Sequence, residues 1–315
     1  MAYKERQPKR GSFGKTFFPI FLICLILFTG GLFLLDKFGI LSLFGGNLMK
    51  DIVPIAGGNS EFSRKYADAK RVNVLLLGTN QGLSDTIMLG SFDTESKRVD
   101  VISVPRDTYY EREGFMDDPG FLKINSVLET EGETAIAQAV SDVLGGVPIH
   151  FYEIISDDGV ARIVDAMGGV EIDVPMDMYY VDEAQGLVID IAAGNQVLDG
   201  AHSVQYLRFR SGYATGDLGR VDAQQAFLKE AFKQSIGFGF PKVAKTAITE
   251  LETNMSMAMA IRLAGKAVGM DSSDIETYVM PGSSGTMYGA SYFFVDEEAA
   301  PALMDQIYSI TPQKE

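Results

Sequence analysis

Arg208, Arg210 and Arg220 crowd one short stretch, Tyr206-Leu207-Arg208-Phe209-Arg210 followed by Gly216-Asp217-Leu218-Gly219-Arg220 and Gln224-Gln225. In a chain of formal net charge −15, such a concentration of cations points to an anionic partner. Guanidinium forks match phosphate oxygens in pairs, and each charge-assisted hydrogen bond contributes about 1.5–3 kcal/mol. Surface ion pairing with local carboxylates would use the same residues without any ligand. Leu207 and Phe209 alternate with Arg208 and Arg210, a period of two that predicts a strand with both arginines on one face. Arg220 opens the helix expected next, and Gln224 lies about one turn on, sharing its face.

Three further polar islands interrupt an apolar framework. Gly78-Thr79-Asn80-Gln81-Gly82-Leu83-Ser84-Asp85-Thr86 leaves an apolar run, Pro105-Arg106-Asp107-Thr108 follows a second, and Lys123-Ile124-Asn125 comes third. Ligands of open α/β sheets gather at strand ends, so these islands are expected to converge. Together they offer Arg106, Lys123, Arg208, Arg210 and Arg220 as cations and Asp85 as a metal carboxylate. A polyphosphate with a hard divalent cation suits that mixture, since Mg²⁺ binds through one or two carboxylates plus phosphate oxygens. The glycine-rich stretch at 78 is not a nucleotide P-loop, because no Gly-Lys-Ser/Thr follows it.

The elements that must hold these islands alternate. Val72 to Gly78 is a nearly continuous apolar run, as in a strand buried on both faces. Strands are also expected at 86–92, 99–104, 150–155, 170–174, 276–280 and 292–295. Helices are expected at 133–144, 157–167, 221–235, 241–251, 256–268 and 297–309. This pattern predicts an α/β (α+β) sandwich in which helices flank a central mixed β-sheet. His150 and His202 lack metal-ligand spacing and read as ordinary core or surface residues. Met255, Met257 and Met259 read as helix packing, and the acids of 111–118 as a solvated loop.

The N-terminus differs. Residues 1–15 carry Lys4, Arg6, Lys9, Arg10 and Lys15 against Glu5, and then Thr16 to Leu35 runs without a charge. About twenty apolar residues span a bilayer as a helix. A cleaved secretory signal would be shorter and would end in a small-x-small site, so an uncleaved transmembrane anchor is expected. The basic tail then stays cytoplasmic, 36–70 forms a juxtamembrane linker, and 71–315 is one extracytoplasmic domain. Cys24, the chain's one cysteine, falls in the anchor, so that domain has no disulfide. An acidic domain outside the membrane excludes nucleic acid as a partner, and a tail of about 15 residues is too short to fold as a DNA reader.

In this order, the motifs resemble those of the LytR-CpsA-Psr family, membrane-anchored enzymes that attach secondary polymers to the bacterial wall. The matching residues are Leu76-Leu77-Gly78 with Ser84-Asp85-Thr86, Pro105-Arg106-Asp107-Thr108, Lys123-Ile124-Asn125, Gly168-Gly169-Val170-Glu171-Ile172-Asp173-Val174-Pro175, and the arginine stretch after Gly194. The resemblance implies transfer of a glycopolymer from a polyprenyl-pyrophosphate carrier to a peptidoglycan hydroxyl, with water as an occasional acceptor. It implies pyrophosphate binding by Arg106, Lys123, Arg208, Arg210, Arg220 and Gln224, with Arg106, Arg208 and Arg210 as the catalytic set. Asp107 and Asp217 would support them, and Asp85 with Asn80 would hold Mg²⁺ or Mn²⁺. Two positions depart from the family pattern. Asn80 stands where an aspartate is usual, and Leu83 where an arginine is usual. A catalytically impaired, pyrophosphate-binding scaffold of wall assembly is therefore the alternative.

Overall fold

The computed structural model describes residues 48–310, apart from 81–82, 116–117, 183–186, 210–211, most of 214–248, 268–269 and 271–273. The expected anchor and tail lie outside these residues. No helix among the described residues is long and apolar enough to cross a membrane.

A 3-10 turn at Leu48–Asp51 and a short helix α1 (Glu61–Lys65) precede β1 (Arg71–Asn80), β2 (Leu83–Asp93) and β3 (Val99–Ser103). Then come α2 (Val127–Glu131), α3 (Glu133–Val143), β4 (Phe151–Ser156), α4 (Asp157–Met167) and β5 (Val170–Val174). Next are β6 (Met178–Asp182), β7 (Leu187–Ile191), β8 (Gly194–Leu198) and α5 (Gly200–Arg208). The chain closes with β9 (Glu252–Thr253), α6 (Met257–Ala267), β10 (Ile275–Val279), β11 (Gly282–Met287), β12 (Ala290–Val295) and α7 (Ala299–Ser309).

Six strands form one mixed sheet in the order β10-β3-β2-β1-β4-β9. β1 lies antiparallel to β2 and parallel to β4, while β3 is antiparallel to β2 and parallel to β10. The apolar run of β1 serves both faces, as its lack of alternation implies. Leu75 and Leu77 enter one core with Ile136 and Val140 of α3 and Met304 and Ile307 of α7. Val72, Val74 and Leu76 enter the other with Met259, Leu263 and Ala267 of α6. The expected sandwich, a central mixed sheet with helices on both faces, is the observed fold. A third cluster joins Val164 of α4, Ile172 of β5, Ile189 of β7 and Tyr206 of α5.

Two local expectations need correction. Residues 48–70, expected as a linker, pack into the domain: Leu48, Ile52, Ala56 and Phe62 are buried, and Ala56 bridges Ile149. Their apolar residues are too sparse to show a period, but each meets a sheet face. The second is the segment through Arg208, which is helix α5 and not a strand. Asp199 caps it by accepting from the His202 amide at 2.9 Å. Its buried stripe is Gly200, Ser203 and Tyr206, at helical spacing. Two of those three are small or polar, so hydrophobic periodicity registered only the Leu-Arg-Phe alternation at its end. The helices expected at 221–235 and 241–251 fall largely outside the described residues.

Candidate functional site

One end of the sheet collects the polar islands. β1 and β4 are parallel and finish there, β2 begins there, and β3, antiparallel to β2, leads there into Pro105. Thr79 pairs with Ser84 on one side and with Ser156 on the other, and the β1–β2 register slips between Gly78 and Thr79. Asp85 and Asp157 therefore flank the end of β1.

Asp85 forms an ion pair with Arg106 Nη1. Thr108 Oγ1 donates to the Pro105 carbonyl at 2.6 Å and closes the turn that presents Arg106. On one side of that turn, Phe293 of β12 donates from its amide to the Asp107 carbonyl at 2.9 Å. On the other, the Asn125 amide donates to the Arg106 carbonyl at 3.2 Å. The same pairing carries Lys123 alongside, and its Nζ donates to Asp107 Oδ1 at 2.7 Å. Asp107 reaches Arg106 only at 3.9 Å. Its closer partner is thus Lys123 and not the adjacent Arg106.

Arg208, the last residue of α5, places Nη1 3.6 Å from Asp157 Oδ2, an ion pair too long for a hydrogen bond. Asp157 opens α4, directly after β4. Burial pushes its carboxyl up, the Arg208 guanidinium pulls it back down, and Asp85 and Asp158 push it up again. Asp157 Oδ2 and Ser84 Oγ are both buried without a hydrogen-bond partner among the described residues.

Of the sequence-derived residues, Arg106, Asp85, Asp107, Lys123 and Arg208 are described, and they lie at this sheet end. Asn80 is the last residue of β1, opposite Leu83, which is 36% exposed. The Asn80 side chain, Arg210, Asp217, Arg220 and Gln224 lie outside the described residues. Two contributors escaped sequence reasoning. Asp157 was read only as a helix start, though its place directly after a strand at the same sheet end was the available signal. Arg112 sits in the expected solvated loop but is buried. It donates to the Phe121 carbonyl at 2.5 Å, Ser126 Oγ at 2.8 Å and Thr130 Oγ1 at 2.6 Å, fixing the segment that carries Lys123. The acids around it, Glu111 and Glu113, are exposed as expected. His150 is a core residue, as expected, and His202 an exposed one.

Two acid–arginine pairs and an acid–lysine pair at one sheet end form a charge-balanced set. Such a set can exchange partners, giving its cations to phosphate oxygens and its carboxylates to a metal.

A sequence model of the LytR_cpsA_psr family matches residues 52–308. The polyisoprenyl-teichoic acid–peptidoglycan teichoic acid transferase TagU of Oceanobacillus iheyensis is 26% identical over 298 residues, covering 89% of this chain and 88% of that protein. The enzyme of that type called TagV, from Bacillus subtilis, is 27% identical over 244 residues, 72% of this chain and 61% of its own length. The crystal structure of B. subtilis TagV superposes with a TM-score of 0.59 at 24% identity, covering 78% of this chain and 99% of that one. Protein gbs0355 of Streptococcus agalactiae gives 0.62 at 17% identity, covering 82% and 94%. These structures share the fold. The match across the sandwich, with motifs lying at one sheet end, makes the chain a member of the LytR_cpsA_psr family.

Proposed function

We propose that the chain is a membrane-anchored phosphotransferase. It moves a secondary wall glycopolymer from a polyprenyl-pyrophosphate carrier to a peptidoglycan hydroxyl. The observation that supports this most is the meeting of Arg106, Lys123 and Arg208 at one sheet end, each balanced by a carboxylate. The names of the TagU and TagV relatives supply the substrate class.

In this reading the acceptor oxygen forms a bond to the glycan-side phosphorus and the bridging P–O bond of the pyrophosphate breaks. The glycan keeps one phosphate, polyprenyl monophosphate leaves, and the hydroxyl proton goes to solvent. Water in place of the sugar hydroxyl would give slow pyrophosphate hydrolysis. Arg106 and Arg208 hold non-bridging oxygens and offset the charge that grows on the leaving phosphate. Lys123 adds a third cation, and Asp107 fixes its ammonium group. Arg210, Arg220 and Gln224 would complete the phosphate cradle, with Asp217 supporting it.

Mg²⁺, or Mn²⁺, is the proposed cofactor, and the donor set fits it. Asp85 offers a half-buried carboxylate, an amide at residue 80 is chemically able to supply a neutral oxygen, and the buried Ser84 Oγ and Asp157 Oδ2 have no hydrogen-bond partner among the described residues. When bound, the ion would neutralise pyrophosphate oxygens and raise the electrophilicity of phosphorus. The tail of residues 1–15 would lie in the cytoplasm, and 16–35 would anchor the catalytic domain outside it.

Arg106→Ala or Arg208→Ala should abolish transfer from a short polyprenyl-pyrophosphate glycan while leaving the thermal unfolding profile intact. Full activity in both variants would rule out this site. Asn80 and Leu83 favour a second reading, a scaffold that binds the carrier without turning it over. Binding without transfer in the unaltered chain would select it.

A further inference from the structure

We infer that Asp157 is the second carboxylate of the divalent-cation site, supplying the negative charge that Asn80 does not. The inference rests on the pyrophosphate–metal reading above and identifies which residues of this chain complete it.

The register sets the geometry. Ser84 and Ser156 both pair with Thr79, one from β2 and one from β4. The two strands lie on opposite sides of β1, about 10 Å apart by strand spacing. Asp85 and Asp157 each come one residue later, so their side chains can close much of that gap across the end of β1. Asn80 ends the strand between them.

The electrostatics agree. Among the described residues, Arg106 pairs with Asp85 and Arg208 with Asp157. Arg208 stops short of hydrogen-bonding Asp157, leaving a buried Oδ2 with no hydrogen-bond donor among the described residues. A carboxylate oxygen in that condition normally finds a partner. A divalent cation would satisfy it and free Arg208 for a phosphate oxygen.

A purely structural role makes a different claim. Asp157 sits at the first turn of α4, where a negative charge favours the helix dipole, and it could serve only to steer Arg208. Removing it would then change helix stability and the KM for the lipid substrate, but not metal affinity.

The test uses the full-length chain in detergent micelles with Mn²⁺ as the probe and free Mn²⁺ read by electron paramagnetic resonance. Asp157→Asn should weaken Mn²⁺ binding about tenfold or more, since hard cations respond steeply to the number of ligand charges. Asn80→Asp combined with Asp157→Asn should restore it, which no steering role would do. Unchanged Mn²⁺ affinity in Asp157→Asn, with the unaltered chain binding normally, overturns the inference and leaves the phosphate site standing. No Mn²⁺ binding by the unaltered chain overturns the metal reading and this inference with it. Thermal unfolding in EDTA identifies a variant that fails to fold. In that event Asn80→Asp alone decides: tighter Mn²⁺ binding supports a shared site, and no change overturns it.

Discussion

Gly200 opens α5 against the backbone carbonyl of Ala161 in the middle of α4, so closely that a Cβ at 200 would overlap that oxygen. The Gly200 amide also donates to Asp165 Oδ1 at 2.8 Å, locking the two helices together. This contact sets the distance between the helices that carry Asp157 and Arg208. Gly200→Ala must push them apart. Overpacking of this kind costs about 1–3 kcal/mol, and urea unfolding should show that loss. Because both charged residues ride on the displaced helices, turnover should fall further than stability alone explains.

Arg112 governs the other side of the site. Its side chain is 6% exposed, and the guanidinium holds the chain on both sides of Lys123. Arg112→Ala leaves the buried Ser126 Oγ and the half-buried Phe121 carbonyl and Thr130 Oγ1 without their donor, and a loss of about 2–3 kcal/mol is expected. The turnover defect should resemble that of Lys123→Ala, although Arg112 itself lies off the proposed phosphate site. Denaturant titration and steady-state kinetics on the same preparation check both parts.

Asp100 is fully buried and accepts from Arg71 Nη1 at 2.8 Å and Arg98 Nη2 at 2.6 Å. Asp100→Ala would leave Arg71, itself buried, without its carboxylate. Breaking a buried pair from one side costs about 3–5 kcal/mol. The variant is expected to unfold at a markedly lower denaturant midpoint, a much larger loss than Lys65→Ala causes at the exposed Lys65–Asp305 pair.

His150 ties stability to pH. Burial lowers its pKa to about 4, and its Nδ1 accepts from the Asn73 amide at 2.9 Å. The folded chain therefore keeps a neutral imidazole where an unfolded one, with a pKa near 6.5, takes up a proton. The unfolded state binds the extra proton between about pH 6.5 and 4, so stability falls as pH drops through that window. The loss between pH 7 and 5 should be about 2 kcal/mol. Equal unfolding free energies at the two pH values would contradict a buried neutral His150.

Where burial follows a regular period, the sequence was readable. β1 shows its two-faced burial as an unbroken apolar run, and α4 and β5 fall at the expected bounds because apolar spacing and turn glycines agree. The helix α5 was not readable as a helix, since its inward stripe is Gly200, Ser203 and Tyr206. The strands β6, β7 and β8 were not among those expected. They leave Tyr179, Val188 and Val197 exposed, which blurs their alternation of apolar and polar residues. At the site, residue types pointed to a phosphate ligand, but the pairing of Asp107 with Lys123 depends on tertiary contacts among β12, the turn at Arg106 and residues 122–125. Asp157 carried no motif at all. Its role follows from the β1–β4 register, which spacing along the chain does not encode.

The most direct test of the central claim is turnover of a short polyprenyl-pyrophosphate glycan by the full-length chain in detergent, with a peptidoglycan acceptor, in Mg²⁺ and in EDTA. Transfer of the phosphoglycan with release of polyprenyl monophosphate, dependent on Mg²⁺ and lost in Arg106→Ala, is the expected result. Tight carrier binding with no phosphate released in either condition would contradict the transferase and leave a scaffold.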